Sequence, residues 1–580
     1  MSSGQAVRPS QFVLTYGVGS VLEAPNGPRM ILDFKNWGRI FGKSSTSVEL
    51  STKYQIRDDN VSALLNGGKI FRLPSNAELQ LPDEQVLFKT DPFPHWALCQ
   101  DHRILYELTA TGSTRCPRCR PGKEAQREAI RFVRGCPRGH LDDVDWKGIV
   151  HRKNRTCDGA LFDWIETGGS TLYDIAIECR KCGAKATLRD IYNGTWECSG
   201  YFPESRTREA CSERASVILR NASNLRVPEI VSAVTIPPRT SQLHRLLEDP
   251  QILPIIASDD SWTKSKLVSK LKNAARVIPS INATLIAQIE RTDENDILSA
   301  INEVSEPPKQ SLTPKEVKDK ELQALQDAAV NGAPPRPYSE PQDFEVDKRA
   351  VVLSQLSKNL FLRITPVKRL RVVMAQKGYR RLVRGPTPIT VPTCYRDNND
   401  SWYAGVEVRG EGVFVDLDAR QQLNSSETEA GSVWNAEFRK NKNFLFHPTF
   451  VWWHTLSHRL INALSIDSGY SAASIRERVY LSVTQDGNRQ TGGVLLYTSQ
   501  QGGEGSLGGL IALVPEFNTV ISAATRNVDS CSNDPLCSEQ RPTSSRLNGA
   551  ACYACLLTSE TSCEYGNAYL DRNLLSESIL

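Results

Sequence analysis

The stretch CQDHRILYELTATGSTRCPRC at residues 99–119 decides the fold of the region around it. It contains two short chelating motifs, CxxH at Cys99 and His102 and CxxC at Cys116 and Cys119. Two such motifs on either side of a hairpin-sized spacer are typical of a zinc ribbon, because each motif supplies two ligands and the spacer lets the two pairs face each other. The sequence therefore predicts a structural zinc site in this stretch.

Two further predicted sites lie between residues 136 and 211. The first has a CxxC motif followed by two single cysteines, and its predicted ligands are Cys179, Cys182, Cys198 and Cys211. The second has looser spacing, and its predicted ligands are Cys136, His140, His151 and Cys157. For the second site the alternative is a buried thiol, with histidines that hydrogen-bond to the aspartates between residues 142 and 145.

The C-terminal part of the chain holds a fourth predicted site. Five cysteines compete there for four ligand positions, namely Cys531, Cys537, Cys552, Cys555 and Cys563. Cys552 and Cys555 form a CxxC motif, Cys563 is the next expected ligand, and either Cys531 or Cys537 completes the set. Each predicted set supplies four protein ligands and leaves no obvious position for water, which favours structural zinc over catalytic zinc.

A pair of histidines can be compared with a catalytic zinc site. His454 and His458 are four residues apart in a stretch with helical periodicity. The residues between them are TLS, which lack the glutamate of the HExxH motif, and aromatic residues flank the pair. The sequence therefore favours a packed helix face or an interface for these histidines over metal binding.

The composition is that of a globular protein. The chain has 580 residues, 39% hydrophobic and 23% charged, and this length predicts two to four domains. No apolar run approaches the ~18 residues of a membrane helix, and the N-terminus lacks signal-peptide features, so we expect a cytoplasmic protein with no membrane partner. Because cytosolic thiols stay reduced, clustered cysteines indicate metal sites before disulfides.

Changes in composition and periodicity divide the chain into six predicted regions. They are a β-rich region at 1–95, a Cys/His-rich zinc-binding region at 96–212, a helical region at 213–305, a linker or mobile insertion at 306–343, a mixed region with a basic patch at 344–443, and a domain with the second Cys cluster at 444–580. The predicted fold class is mixed α/β and multidomain, with zinc-ribbon-like modules in the N-terminal half.

A basic patch, KRLRVVMAQKGYRRLVRG at residues 368–385, contains no acidic residue. Its predicted nucleic-acid-binding residues are Lys368, Arg369, Arg371, Lys377, Arg380, Arg381 and Arg384. Such residues can neutralise phosphates, and Tyr379 among them could stack on a base. The alternative is a solvated or interface surface. A second, weaker basic stretch runs through the first Cys window from Arg115 to Arg138.

The sequence offers no positive support for catalysis. The stretch WGRIFGKSS at residues 37–45 resembles a phosphate-binding loop, but Trp37 stands where the motif requires glycine. We find no nucleophile elbow and no paired carboxylates at a convincing spacing. We therefore expect a protein that is not an enzyme.

Several segments together resemble the DrmB family of the bacterial DISARM antiphage system, whose members carry a helicase-associated domain. The segments are RPSQFVLTYGVGSVLE at 8–23, FPHWALCQDH at 93–102, RFVRGCPRGHLDDVDWKGIVH at 131–151, ECRKCGAKATL at 178–188, CSNDPLCSEQ at 531–540 and NGAACYACLLTSETSCEYGNAYLDRNLL at 548–575. The C-terminal portion also resembles the cysteine-bearing tail of Mrf-type helicases, which favours Cys552, Cys555 and Cys563 plus one upstream cysteine as ligands.

The resemblance implies a role that the spacing of ligands alone does not. It implies a non-catalytic, zinc-binding subunit of an antiphage helicase complex, which binds a DrmA-like helicase and contacts DNA through its backbone. ATP hydrolysis would then belong to the helicase, and we expect docking through the aromatic helix near Trp452 and Trp453. The alternatives are a metal-dependent nuclease or hydrolase and a scaffold that does not touch nucleic acid.

Overall fold

The structure of the chain is a computed structural model. It describes residues 7–25, 27–37, 54–75, 77–78, 88–108, 115–120, 127–152, 156–169, 171–236, 247, 252–256, 259, 261–276, 281, 283–305, 311–333, 343–382, 389–397, 400–418, 421–483, 490–500 and 508–579. The rest of the stretch that resembles a phosphate-binding motif, residues 38–45, lies outside these ranges.

The chain divides into two compact units. The first consists of residues 1–57, 68–231 and 374–406, and the second of residues 58–67, 232–373 and 407–580. Three strands contribute residues to both units by chain position, namely Val227–Val234, Leu360–Arg380 and Asp400–Leu417. Among the described helices, we find none with the length and hydropathy that crossing a membrane requires.

Short strands dominate the first unit. They are Val21–Ala24, Gly27–Ile31, Gln55–Ile56, Lys69–Arg72, Thr90–Pro92, Trp96–Cys99, Ile104–Glu107, Arg127–Ala129, Phe132–Gly135, Leu141–Asp143, Phe162–Glu166, Ile175–Cys179, Lys185–Thr187, Thr195–Glu197, Tyr201–Phe202, Thr207–Arg208, Arg214–Leu219, Val391–Pro392 and Tyr395–Asp397. The helices are Pro9–Leu14, Trp146–Val150 and Leu188–Asn193, with 3-10 turns at Phe34–Asn36, Leu172–Asp174 and Ser223–Leu225.

Two antiparallel sheets carry the cysteine-rich part of this unit. One has the strand order Lys185–Thr187, Ile175–Cys179, Phe162–Glu166, Ile104–Glu107, Trp96–Cys99 and Arg127–Ala129. The other has the order Leu141–Asp143, Phe132–Gly135, Arg214–Leu219 and Thr195–Glu197. Apolar side chains from both sheets, among them Trp96, Phe132, Phe162 and Val217, pack into one core.

Local sequence explains how the short connections in these sheets form. Gly139 closes the hairpin between Phe132–Gly135 and Leu141–Asp143 with φ +94°, a backbone conformation that glycine adopts without the steric cost of a side chain. The helix Trp146–Val150 begins at Asp145, whose carboxylate accepts the Gly148 N–H at 2.9 Å. Tight turns of this kind fix the direction of the cysteines and histidines beside them.

The second unit is richer in helices. They are Asp59–Leu64, Leu253–Ile256, Lys264–Ala274, Ala283–Arg291, Glu294–Ser305, Pro314–Asn331, Glu429–Asn441, Pro448–Asp467, Gly509–Ala512, Phe517–Thr525 and Arg572–Ile579. Its 3-10 turns are Lys348–Ala350, Ser425–Glu427, Phe444–Phe446, Ala472–Ser474 and Val514–Glu516. Its strands are Phe344–Val346, Val352–Ser357, Ile475–Val483 and Gln490–Gln500, together with the second-unit parts of the three shared strands.

The helix Pro448–Asp467 is the centre of the second unit. The sequence predicts a helix here, and this prediction is confirmed by Pro448–Asp467, which the strands Ile475–Val483 and Gln490–Gln500 follow. The helix packs on this strand pair and is buried on almost every side. Trp452 and Trp453 are both fully buried, so the expectation that they form an exposed docking surface is wrong.

Two predicted regions differ from the structure. The region 213–305, predicted as helical, begins with the strands Arg214–Leu219 and Val227–Val234, because the apolar residues there pair with a neighbouring strand instead of following a helical period. The segment 306–343, predicted as a linker or mobile insertion with one helix inside, contains that helix at Pro314–Asn331, and the difference is that this helix packs against the rest of the unit. This helix buries Val317, Leu322 and other residues, so small apolar residues at helical spacing suffice to pack it. The mixed α/β fold class is confirmed.

Candidate metal centres

The first cluster consists of Cys99, His102, Cys116 and Cys119, the four residues that the sequence groups together. Cys99 ends the strand Trp96–Cys99, and His102 lies in the turn that follows it. His102 Nδ1 lies 3.5 Å from Cys99 Sγ, 3.5 Å from Cys119 Sγ and 3.8 Å from Cys116 Sγ. Three sulfur atoms therefore surround one imidazole nitrogen.

The spacing of these atoms matches the spacing of ligands around a zinc ion. Zinc binds thiolate sulfur at about 2.3 Å in a tetrahedron, so two sulfur ligands of one ion lie about 3.8 Å apart. In the first cluster Cys99 Sγ and Cys119 Sγ are 3.8 Å apart. Other sulfur pairs in the third and fourth clusters, described below, are separated by 3.5 to 3.9 Å. These groups have the size of a tetrahedral coordination shell.

The second cluster consists of Cys136, His140, Cys198 and Cys211. Cys136, His140 and Cys198 directly adjoin strands of one sheet, and Cys211 lies three residues before the strand Arg214–Leu219 of the same sheet, which brings the two pairs together although they are far apart in the sequence. His140 Nδ1 lies 3.3 Å from Cys136 Sγ and 3.5 Å from Cys198 Sγ. On the other side of the ring, Nε2 lies 3.0 Å from Glu209 Oε1, a carboxylate contact that orients metal-binding histidines.

The third cluster consists of His151, Cys157, Cys179 and Cys182. His151 follows the helix Trp146–Val150, and its Nδ1 lies 2.9 Å from the Lys147 carbonyl oxygen. Because a carbonyl only accepts hydrogen bonds, Nδ1 carries the hydrogen and Nε2 presents a lone pair. This Nε2 is buried and has no hydrogen-bond partner among the described residues, as expected for an atom that binds an ion.

The grouping of ligands in these two clusters differs from the prediction. The sequence combines the CxxC at Cys179 and Cys182 with Cys198 and Cys211, whereas the structure exchanges the partners of the two sites. Sequence proximity suggested the wrong combination because the strand Arg214–Leu219 pairs with Phe132–Gly135, and not with the strand that ends at Cys179. The eight candidate residues are the same in both groupings.

The fourth cluster consists of Cys531, Cys537, Cys552 and Cys555. Sulfur–sulfur distances are 3.5 Å from Cys531 to Cys552, 3.8 Å from Cys537 to Cys555 and 3.7 Å from Cys552 to Cys555. Both residues that competed for the fourth position are therefore present. The predicted ligand Cys563 is not in this cluster, and the sequence prediction is corrected on this point.

Cys563 lies instead beside the histidines of the central helix. Its Sγ is 3.2 Å from His454 Nε2, and the two form a further buried group with His458 and Glu477. The sequence favours a packed helix face or an interface for these histidines, and Glu477 is not among the predicted ligands. The i, i+4 spacing of His454 and His458 was the available signal, but the carboxylate comes from a separate strand and not from the HExxH position.

Burial and hydrogen bonding divide the thiols of these clusters into two kinds. Burial raises the pKa of Cys136 to about 12 and the pKa of Cys555 to about 11. Burial also acts to raise the pKa of Cys552, but hydrogen bonds from Asn533 and Cys531 outweigh it and lower this pKa to about 7. A buried set of thiols can ionise together only when a cation balances their charge, which is what zinc provides.

The structure places most of the basic patch in ion pairs. Arg381 is 1% exposed, and its guanidinium donates to the carbonyls of Gly19 at 2.8 Å and Gly139 at 3.0 Å. Arg371 is also buried and pairs with Glu407 at 2.6 Å. Neither guanidinium can reach a DNA phosphate in this structure, so these two residues are removed from the predicted DNA-binding surface.

The remaining residues of the patch differ in exposure. Lys368, Arg369 and Arg380 each pair with a carboxylate, at 3.3, 3.4 and 3.2 Å respectively. Lys377 is exposed and has no ion pair among the described residues. Arg384 lies outside the described residues. Tyr379, expected to stack on a base, is fully buried and donates its hydroxyl hydrogen to Glu204, so this expectation is wrong.

Unpaired positive charge is found beside the first cluster. Arg115, Arg118 and Arg120 surround the ligands Cys116 and Cys119, and all three arginines are exposed. Within the described ranges none of them has a carboxylate at ion-pair distance. Exposed arginines next to a rigid metal-bound loop can contact phosphates without giving up an internal ion pair.

The chain is similar to one known protein and matches two family models. Residues 8–227 match a family model described as a domain of unknown function, DUF8724, and residues 456–556 match the MrfA Zn-binding domain. The chain is 28% identical to the DISARM protein DrmB of Bacillus paralicheniformis, over 96% of this chain and 98% of that protein. A crystal structure of the DUF1998 helicase MrfA bound to DNA covers 37% of this chain at 9% identity, with a TM-score of 0.18 and 24% of that chain matched.

These comparisons confirm two predictions. The chain is similar to the DISARM protein DrmB along almost its full length, and residues 456–556 match the MrfA Zn-binding domain. Zinc is the cofactor that this domain and the cysteine-rich clusters indicate, because sets of thiolates and imidazoles at tetrahedral spacing suit zinc best among common metal ions.

Proposed function

We propose that this chain is a non-catalytic zinc-binding subunit of a cytoplasmic DISARM helicase complex, in which it binds a DrmA-like helicase and holds DNA. The observation that carries the proposal is the set of four closed Cys-rich clusters in a chain that is similar to DrmB along 96% of its length. Closed four-ligand sites stabilise a fold and leave no open position for substrate, which suits a subunit that positions DNA for a motor in another chain.

Zinc would act here as a structural ion. In the first unit it would connect loops whose strands are only two to six residues long, which form too small a core to hold the ends of the sheets by themselves. His140 and His151 would be held as ligands by their contacts to Glu209 and to the Lys147 carbonyl. These contacts of the two histidines would therefore orient the loops in which the histidines lie.

DNA contact is proposed for the arginines of the first cluster. Arg115, Arg118 and Arg120 lie on the loop that contains Cys116 and Cys119, and the ion would hold this loop rigid. Each arginine can bind a phosphate bidentately, and such contacts fix position on DNA without reading its sequence. Lys377, which is exposed and has no ion pair among the described residues, is a separate candidate contact.

The DNA-binding proposal is tested with a triple variant, R115Q/R118Q/R120Q, in the complex of this chain with its helicase. We expect weaker DNA binding, and a slope of log affinity against log salt that is smaller by roughly two to three, since each lost phosphate contact contributes about 0.9. The matched control is R439Q/K440Q/K442Q at the end of the helix Glu429–Asn441, which removes the same charge elsewhere.

The outcomes also separate the alternative functions. Unchanged affinity and slope in the R115Q/R118Q/R120Q complex would favour a scaffold that does not touch nucleic acid. Turnover of nucleic acid by the purified chain alone, lost on metal removal, would favour a metal-dependent nuclease or hydrolase. Zinc content and co-purification with the helicase should be the same in both triple variants.

Helicase docking is proposed for the surface of the fourth cluster. Tyr553, between Cys552 and Cys555, is 90% exposed, and Leu536, beside Cys537, is 78% exposed. Large apolar side chains on a rigid loop are typical of a protein-binding surface. We expect L536S/Y553S to lose co-purification with the helicase and to keep its zinc. The control is I466S, which changes another exposed apolar residue of the same unit, and equal retention in both variants would refute this surface.

A further inference from the structure

A group of four potential ligands lies in the interior of the second unit, apart from the four Cys-rich clusters. His454 and His458 project from one face of the helix Pro448–Asp467, Glu477 from the strand Ile475–Val483, and Cys563 from the C-terminal loop. All four side chains are buried. His454 Nε2 lies 2.9 Å from Glu477 Oε1 and 3.2 Å from Cys563 Sγ, and His458 Nε2 lies 3.5 Å from Glu477 Oε1.

Backbone contacts determine which imidazole nitrogens face the centre of this group. His454 Nδ1 lies 3.2 Å from the Tyr569 carbonyl oxygen, and His458 Nδ1 lies 2.9 Å from the Leu556 carbonyl oxygen. Thr558 Oγ1, 3.5 Å from His458 Nδ1, can accept from the same N–H. Because carbonyls only accept, both Nδ1 atoms carry hydrogen and both Nε2 atoms present lone pairs to the centre.

The inward side of the group therefore consists of electron-pair donors. His458 Nε2 is fully buried and has no hydrogen-bond partner among the described residues. His454 Nε2 faces a carboxylate oxygen and a sulfur atom, and lone pairs at such short distances repel unless a cation lies between them. A buried polar atom without a partner and directed at three other ligands indicates a bound ion.

Hydrogen bonds around the group hold both potential anions in place. The Ser457 hydroxyl donates to Glu477 Oε2, and the Glu564 N–H donates to Glu477 Oε1 at 3.2 Å. The Tyr565 N–H, two residues after Cys563, donates to Cys563 Sγ at 3.3 Å. In the second, third and fourth clusters the backbone N–H two residues after a cysteine donates to its Sγ in the same way, at 3.4 to 3.5 Å. The cysteines are Cys157, Cys179, Cys198 and Cys531.

Charge balance also requires a cation. In the part of the chain that the structure describes, neither Lys nor Arg lies within ion-pair distance of Glu477. A buried carboxylate without a cation is costly, because burial removes its hydration. One divalent ion with the Glu477 carboxylate, the Cys563 thiolate and two neutral imidazoles forms a unit of zero net charge, which an apolar interior can accept.

We propose that His454, His458, Glu477 and Cys563 bind a fifth zinc ion in a closed, structural site. Two imidazole nitrogens, one thiolate and one carboxylate are a donor set that suits zinc, and the ligand atoms all lie within 4.8 Å of one another. The ion joins the central helix, the neighbouring strand and the C-terminal loop. It therefore connects the loop that follows the fourth cluster to the apolar core of the unit, independently of that cluster.

The proposal is tested by counting zinc ions on the full-length chain with native mass spectrometry and elemental analysis. The main variant is Glu477→Gln, which keeps the shape of the side chain and can donate a hydrogen bond to an imidazole. The second is Cys563→Ser, which keeps a polar atom at the sulfur position. The control is Cys394→Ala, which removes a cysteine that is outside every cluster in the described residues.

We expect the wild-type chain and Cys394→Ala to bind five ions, and each site variant to bind four. If the group is only a hydrogen-bonded network with a protonated histidine, both site variants keep the wild-type count, and the proposal is overturned. The zinc count of the wild-type chain tests the proposal even if the variants do not fold. A fifth ion supports the site, whereas saturation at four, with all four Cys-rich clusters loaded, overturns it.

Discussion

Arg381 belongs to a basic stretch of the sequence, but its side chain is buried and forms hydrogen bonds inside the protein. Its guanidinium donates to the carbonyls of Gly19, Gly139 and Leu225, and Glu204 Oε2 lies 3.5 Å away. Carbonyls from three separate turns thus share one cation. Arginine suits this position because its planar group offers five N–H donors in fixed directions.

We predict that Arg381→Met lowers the free energy of unfolding by about 3 to 5 kcal/mol, because it removes three hydrogen bonds to backbone carbonyls and the ion pair of Arg381 with the buried Glu204 carboxylate. The measurement is urea unfolding of the purified chain. Lys377→Met is the control, since it removes an exposed charge and should change stability by no more than about 0.5 kcal/mol. Equal effects of the two substitutions would contradict the internal role of Arg381.

At the scale of elements, an ion pair attaches the helix Pro314–Asn331 to the strand Ile475–Val483. Arg478 Nε lies 2.5 Å from Glu321 Oε2, and the second nitrogen of its guanidinium lies 2.9 Å from Glu321 Oε1. Both side chains are almost fully buried. The helix itself begins with a capping box, in which Thr313 and Glu316 satisfy each other's backbone N–H groups.

We predict that Glu321→Ala destabilises the chain by about 2 to 4 kcal/mol, since it removes the bidentate partner of the buried Arg478 guanidinium and leaves Glu564, 3.2 Å away, to balance its charge. Thermal unfolding followed by circular dichroism measures the effect. Lys315→Ala is the matched control on the same helix, because the exposed pair of Lys315 with Asp319 contributes only about 0.3 to 0.5 kcal/mol. A loss below 1 kcal/mol in Glu321→Ala would show that the ion pair does not hold the helix.

At the scale of the whole molecule, we expect the two units to differ in how much of their stability depends on metal. In the first unit three clusters connect short strands around a core of modest size. In the second unit the helix Pro448–Asp467 lies within a large apolar core. Unfolding of the cysteine-rich part of the first unit should therefore follow loss of zinc more closely than unfolding of the central helix does.

We predict that chelation of zinc increases hydrogen exchange at the strands next to the first three clusters, while the backbone of Pro448–Asp467 stays protected. Hydrogen-exchange mass spectrometry of the zinc-bound and zinc-depleted chain measures both regions in one experiment. Re-addition of zinc is the control for damage during chelation. Equal protection of Trp96–Cys99 with and without zinc would mean that the first unit does not need its ions.

The sequence predicts a metal site well when its ligands lie close together along the chain, and poorly when they lie far apart. The first cluster could be grouped from its motifs, because all four ligands lie within residues 99–119. The second and third could not, because their partners are chosen by strand pairing between Phe132–Gly135 and Arg214–Leu219. Glu477 gave no signal at all, since a single carboxylate between Arg476 and Arg478 matches no ligand motif.

The amino-acid sequence by itself determined which side chains are chemically able to bind zinc, and that the fold combines helices and strands, because spacing and periodicity are local properties of the chain. Only the tertiary structure decided which ligands share a centre. It also decided which arginines bind carbonyls and carboxylates inside the protein, and that Cys563 lies beside the central helix and not in the fourth cluster. Such choices depend on contacts between residues far apart along the chain, and the packing of sheets and helices alone brings those residues together.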